Sequence, residues 1–197
     1  MAGGQTLKRA RLDLARIMKL LEKRHADREF LLKNARETVG LCGRSIISMH
    51  RGDVKKGIIQ FEQACALLKE HRRKARGELH SYLAVSEQEL AEAACLIAVV
   101  QNRGIPTSKS LGVTEVPYVL GLLDAIGEMK RLTLDTLRAG RRSEAERVFG
   151  VAVNLYDELS GFAIYSNSVK DIRKKLDMAR ITIDGMRMAV TAADSKN

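Results

Sequence analysis

Four acidic side chains stand in stretches of this chain that are otherwise apolar: Glu89 and Glu92 in VSEQELAEAACLIAVV, and Asp124 and Glu128 in PYVLGLLDAIGEMKRL. An ionised carboxylate in apolar surroundings is costly unless it is paired or bound to a metal, so two such pairs point to a site. Residues three or four apart on a helix are neighbours, with Cβ atoms roughly 5–6 Å apart, so each pair forms one acidic patch. Face-to-face packing of the two helices would make the four carboxylates converge. Hard oxygen donors without His or Cys suit Mg²⁺ or Mn²⁺ better than zinc or copper, and such a site can clamp a phosphate during hydrolysis. The chemistry expected is metal-dependent cleavage of a phosphodiester.

A structural account competes with each of these assignments. Gly121, Asp124, Glu128, Arg131 and Asp135 form one polar stripe, which by itself reads as a solvated helix face. Glu89 and Glu92 share their stripe with Val85, Leu96 and Val99 and resist that account better. Glu37, in NARETVG, is either a further acidic neighbour or a surface Glu beside Arg36. A di-iron bundle site would want two Glu-x-x-His pairs, and only Glu22 with His25 has that spacing. His50, His71 and His80 show no ligand spacing, no nucleophile–His arrangement is readable, and G-x-x-x-x-G-K-[ST] is absent.

The elements that must hold these residues read as helices throughout. The two prolines, Pro106 and Pro117, both lie in the one obvious loop, RGIPTSKSLGVTEVP. Helical spacing of apolar residues runs from about Gln5 to Ile47, as one long helix or two joined near His25, and the HRGD turn at 50–53 ends it. Further helices are expected over about 54–70, 79–102, 118–138, 143–161 and 169–190. The first acidic pair falls on the 79–102 helix and the second on the 118–138 helix. Gly140 serves as a stop, and Ser143 with Glu146 reads as a capping box. The extreme ends are expected to be disordered. The fold class is therefore all-α, an antiparallel bundle of about six or seven helices with a long N-terminal helix, oligomerising, in a single domain over 1–197. Within it, 1–80 are basic N-terminal helices, 81–140 the acidic-site helices and 141–190 the C-terminal helices.

Charge is distributed unevenly along these elements. The chain's net charge of +10 lies wholly in residues 1–80, which hold 19 Lys and Arg against 9 Asp and Glu, while 81–197 hold 15 of each. Lys8, Arg9, Arg11 and Arg16 at the start, and Arg72, Arg73, Lys74 and Arg76 in HRRKAR, give the footprint of a phosphate-backbone binder. Attachment to anionic lipid is the weaker account, because Trp is absent, aromatics are few and no lipidation signal occurs. The longest apolar run, AACLIAVV, falls far short of the roughly 20 residues of a spanning helix. The start lacks the apolar block of a secretory signal, and Cys42, Cys65 and Cys95 are odd in number with no C-x-x-C pair. A soluble cytoplasmic protein with cysteines as small core fillers is expected.

The order of motifs adds a resemblance. VPYVLGLLDAIGEMKRLTLDTLRAG and NSVKDIRKKLD, with QELAEA and NARETVGLCGRSIISMHRGD upstream, resemble the translin and translin-associated factor X (Trax) family over nearly the whole chain. In that family translin binds nucleic acid without the acidic residues, and Trax carries them and supplies endoribonuclease activity. The QE-x-x-E pattern is met by Glu89 and Glu92 and the D-x-x-x-E pattern by Asp124 and Glu128, so the chain looks Trax-like. Its compactness, with a short loop where Trax has a long insertion, points to a prokaryotic, archaeal-type form. The resemblance implies a closed octameric shell with inward-facing carboxylates, here a homo-octamer unless a translin-type partner subunit joins it. It implies single-stranded RNA as substrate, with single-stranded DNA as a further ligand. Glu89, Glu92, Asp124 and Glu128 would hold Mg²⁺ or Mn²⁺, one of them serving as general base, and Arg72, Arg73, Lys74 and Arg76 would bind phosphates. The alternative is a non-catalytic single-strand-binding oligomer of the same fold.

Overall fold

Helix-forming periodicity dominates the chain, and the computed structural model, which describes residues 3–194, is helical from end to end. Among the described residues there are seven α-helices and no strand: α1 (Gly3–His50), α2 (Val54–Lys74), α3 (Ala84–Val100), α4 (Ser108–Leu111), α5 (Glu115–Arg138), α6 (Arg142–Ser160) and α7 (Ile172–Asp194). Two 3₁₀ segments, Gly77–Leu83 and Gly161–Tyr165, bridge α2 to α3 and follow α6. The expected disorder at the extreme ends falls on residues 1–2 and 195–197, outside those described.

The long N-terminal segment is one helix, with no joint at His25. Its 48 residues span about 72 Å at 1.5 Å per residue, more than any partner helix can cover. From Leu31 onward its apolar face is buried against α2 and α3, whereas Leu7, Leu12, Leu14, Ile17, Met18, Leu20 and Leu21 are exposed. The HRGD turn reverses the chain at Gly52, whose φ of +78° suits a residue without Cβ. Asp53 then caps α2 by accepting from Lys56 N at 3.2 Å.

Two expectations about boundaries need correcting. The loop between α3 and α5 contains the single-turn α4, capped by Thr107 Oγ1 accepting from Ser110 N at 3.1 Å. α6 opens at Arg142, with no side-chain cap, so Ser143 lies inside the helix and the capping box does not form. Gly140 does end α5, with φ +74°.

The bundle is built around α5, which packs on α3, α6 and α7. α3 lies between α1 and α5, and its residues from Ala93 to Val99 are all buried. A helix enclosed on several sides has no broad polar face to give to solvent, which is why glutamates there look out of place in sequence. Where α3 and α5 cross, Gly121 of α5 touches the α3 backbone: a Cβ at this position would lie 2.3 Å from the Gln88 carbonyl oxygen. This contact sets how closely the two acidic helices approach.

Candidate functional site

Packing at the Gly121 crossing turns both acidic pairs toward one another. Glu89 and Glu92 on α3, and Asp124 and Glu128 on α5, are all half-buried, so the stripe that read as a solvated face is in fact partly enclosed, with Gly121 buried. The charges of this cluster act on each other. Burial, and then the neighbouring Glu89, Asp124 and Glu128 charges, push the Glu92 carboxyl up to about 8. Burial and then the Asp124 charge raise Glu89 likewise, while Lys175 opposes the shift. A site that resists holding four negative charges favours a cation in their midst.

Two of the four carboxylates already have cationic or ring N–H partners. Lys175 of α7 donates its ammonium to Asp124 Oδ1, and Gln88 Nε2 donates to Asp124 Oδ2 at 2.7 Å. His50, the last residue of α1, places Nε2 at 2.5 Å from Glu128 Oε2, and this contact holds the Glu128 carboxyl below the usual range. The His50 side chain is 3% exposed, and its Nδ1 has no partner. Neither His50 nor Lys175 was found from sequence spacing, since they lie 78 and 51 residues from the carboxylates they touch. The only signal for either was its place in the family-like segments IISMHRGD and NSVKDIRKKLD.

The donor set fits a hard divalent cation in kind: four carboxylates, of which Glu89 and Glu92 are raised in pKa by burial and by their acidic neighbours. Among the described residues, however, no group of three or more His, Cys, Asp and Glu side chains is arranged to hold a metal ion. Assembling such a group around Asp124 and Glu128 would exchange the contacts with Lys175 and His50 for contacts to the ion. Glu37 is an exposed residue whose charge reaches His71, so it is no member of the cluster.

The basic run divides in two. Arg73, Lys74 and Arg76 line a groove of about 680 Å³ between α1 and the end of α2, together with Lys23 and Arg24, which the sequence reading did not single out. Lys74 sits 4.7 Å over the Phe30 ring and 3.6 Å from Asp27. Arg72 turns the other way. Its Nε and Nη2 donate to Glu87 Oε1 at 3.2 and 3.1 Å, and Glu87 is fully buried. Thr114, at the N-terminus of α5, donates from N and Oγ1 to Glu87 Oε2 at 3.0 and 2.5 Å. The Arg72 assignment to phosphate binding is therefore corrected: a buried carboxylate two positions before Glu89 holds this guanidinium, and the resulting knot ties α2, α3 and the start of α5 together.

No helix among the described residues is long and apolar enough to cross a membrane. The three cysteines are free, with Cys42 and Cys95 buried and Cys65 half-buried, as fillers of the core should be.

Comparison with known proteins gives the family of the chain. The model of the Translin family matches residues 43–185, a span that includes all four carboxylates, His50 and Lys175. An uncharacterized protein of Methanocaldococcus jannaschii is 30% identical over 174 residues, covering 85% of this chain and 77% of its own. The crystal structure of AfC3PO matches with a TM-score of 0.84 at 30% identity, covering 94% of this chain and 98% of its own. The structure of an AfC3PO complex with duplex RNA matches with a TM-score of 0.83 at 29% identity over the same shares. Apo-NeC3PO, at 23% identity and a TM-score of 0.82 over 91% of this chain and 96% of its own, shares the fold.

Proposed function

This chain belongs to the Translin family, in an archaeal-type form, and from that footing we propose that it is a divalent-metal-dependent endoribonuclease cleaving single-stranded RNA within a homo-oligomeric shell, an octamer in its simplest form. The observation that carries this reading is the facing of two carboxylate pairs across the Gly121 contact, with Glu89 and Glu92 both raised in pKa by burial and by their acidic neighbours. RNA as the partner is supported by the complex of the similar AfC3PO with duplex RNA and by the basic N-terminal half of the chain. Assembly is supported by the apolar row from Leu7 to Leu21, whose seven exposed side chains lie on the part of α1 that projects from the bundle.

Glu89, Glu92, Asp124 and Glu128 would hold Mg²⁺ or Mn²⁺, which when bound offsets phosphate charge and lowers the pKa of a coordinated water. The chain's own groups have distinct tasks around it. Gln88 fixes the rotamer of Asp124, and His50 does the same for Glu128, so that the second pair is held in place on α5. The Lys175 ammonium lies at the edge of the cluster, within reach of a phosphate oxygen drawn toward Asp124. Arg73, Lys74 and Arg76, with Lys23 and Arg24, would bind backbone phosphates along the α1–α2 groove without reading bases. Glu92, whose carboxyl keeps its proton to about pH 8, must surrender it before it can bind a cation.

A second reading rests on the same contacts. Lys175 and His50 occupy two of the four carboxylates, which favours a structural role for the cluster in a non-catalytic RNA- or single-stranded-DNA-binding oligomer. The two are separated by incubating the purified chain with fluorescent single-stranded RNA, duplex RNA and single-stranded DNA in Mg²⁺, Mn²⁺ or EDTA. Glu89→Ala and Asp124→Ala are run alongside, with binding and molecular mass measured in parallel. The expected result is metal-dependent cleavage of single-stranded RNA that both substitutions abolish while binding and assembly persist. Binding without cleavage under any divalent metal would establish the binding oligomer instead.

A further inference from the structure

A second cavity adjoins the acidic cluster on the side away from α1. It lies between α5 and α7, with a volume of about 610 Å³, inside the roughly 300–1,000 Å³ typical of small-molecule sites. Its composition is divided. Leu120 and Leu123 of α5 and Met178 of α7 make one apolar wall, while α7 brings Lys174 and the Asp124-paired Lys175 to the lining, to which Asp171 adds a carboxylate. Asp124 closes one end and belongs at the same time to the acidic cluster, so the cavity and the cluster share a wall. Met178 is 55% exposed although it sits over this cavity, which leaves its thioether free to cover an incoming flat group.

An apolar wall beside paired cations fits a ligand with a flat, weakly polar part and an anionic part. Inorganic anions use only the lysines, and a lipid chain would use only the wall. We propose that this cleft is a nucleotide subsite, which takes the base against Leu120, Leu123 and Met178 and the phosphate on Lys174 and Lys175. Resting on the nuclease reading for its place along the strand, the subsite holds the nucleotide next to the scissile phosphate and so fixes which bond lies at Asp124. It differs from the α1–α2 groove, where five cations outnumber Asp27 and Glu78 and would meet backbone phosphates in series.

The chain contains no Trp, so Met178→Trp installs a single reporter at the rim of the cleft. The full chain carrying it is titrated in EDTA with adenosine 5′-monophosphate, a 5′-phosphorylated tetraribonucleotide and inorganic phosphate. Both nucleotides are expected to change the emission saturably, the tetraribonucleotide binding more tightly, with no response to phosphate alone. Adding Lys174→Glu should weaken binding by about tenfold or more, as loss of one charge-assisted contact predicts. A response to phosphate alone, tighter binding of the mononucleotide, or indifference to Lys174→Glu overturns the assignment. The unmodified chain is scored in parallel for Mg²⁺-dependent RNA cleavage. Cleavage without nucleotide at the cleft overturns the subsite and spares the nuclease; nucleotide at the cleft without cleavage supports the subsite and overturns the nuclease. Photocrosslinking of a 4-thiouridine RNA to the unmodified chain needs neither substitution to fold. An adduct on the α7 peptide from Lys174 to Thr182 supports the subsite, and adducts confined to other elements overturn it.

Discussion

Gly121→Ala tests whether the contact between α3 and α5 positions the site. The new methyl carbon would lie 2.3 Å from the Gln88 carbonyl oxygen, 2.9 Å from Ala91 Cβ and 3.1 Å from Glu92 N, where ordinary contact begins near 3.4 Å. Two of these three neighbours are backbone atoms of a helix enclosed by the bundle, so they cannot swing aside, and α5 must retreat by about 1 Å. Overpacking of this kind costs about 1–3 kcal/mol. In a chain of this size each kcal/mol moves Tm by roughly 2–4 °C, so Tm should fall by about 2–12 °C. Function should suffer more than stability, because a displacement near 1 Å between groups that must act together can cost about 10²-fold in rate. The assay is thermal unfolding by far-ultraviolet circular dichroism at fixed protomer concentration, with RNA cleavage measured well below the transition. Gly150→Ala on α6 is the control, since a Cβ there meets nothing within 4 Å, and relief of glycine's entropy should add about 0.5–1 kcal/mol. A Gly121→Ala protein that melts at or above the parent and cleaves RNA at the parental rate would refute the role given to this contact.

Three further outcomes follow from the same geometry. Glu92→Gln should stabilise the chain in EDTA, and the gain should grow as pH rises from about 4.5 to about 8: the parent must hold a proton that its unfolded state releases, so the parent loses stability across that window, as urea titrations at pH 5, 7 and 8.5 would record. Glu87→Ala should destabilise by about 3–5 kcal/mol by leaving Arg72 and the start of α5 without their shared acceptor, and an unchanged denaturation midpoint would remove the knot from the account. Cys42 and Cys95, whose thiols burial pushes up to about 12, should react with a thiol-directed disulfide reagent only at the rate of global unfolding.

Local features of the chain made the bundle readable. Helical periodicity, the paucity of proline and the HRGD turn were enough to place six segments, because each depends on residues within one or two turns of itself. The long α1 came out as one of two options, and its continuity through His25 depends on no breaker residue occurring there. The α6 cap was misread because Ser143 and Glu146 have the spacing of a capping box, while the preceding Gly140 turn carries the chain into the helix two residues too early for Ser143 to act as its cap. Arg72 was misassigned for a related reason: a run of cations looks uniform in sequence, but Glu87 lies fifteen residues away and, being fully buried, draws one guanidinium inward.

The acidic cluster divides along the same line. That glutamates are out of place in an apolar helix is a property of the local sequence, and it located Glu89 and Glu92 without any knowledge of their neighbours. What compensates a buried charge is not local, since its partner can arrive from any element that packs nearby. The end of α1 brings His50 to Glu128, and the first turn of α7 brings Lys175 to Asp124, from opposite ends of the chain. Both contacts exist because α5 is the central helix, reached by α1 as well as by α7. A charge on a central helix therefore has its environment set by the whole topology, and the pair on α5, which read as solvated, is the one whose partners the fold supplies. The pair on α3 receives no such partner; its two carboxyls rise in pKa instead, and that difference marks Glu89 and Glu92 as the side of the site where an added cation would gain most.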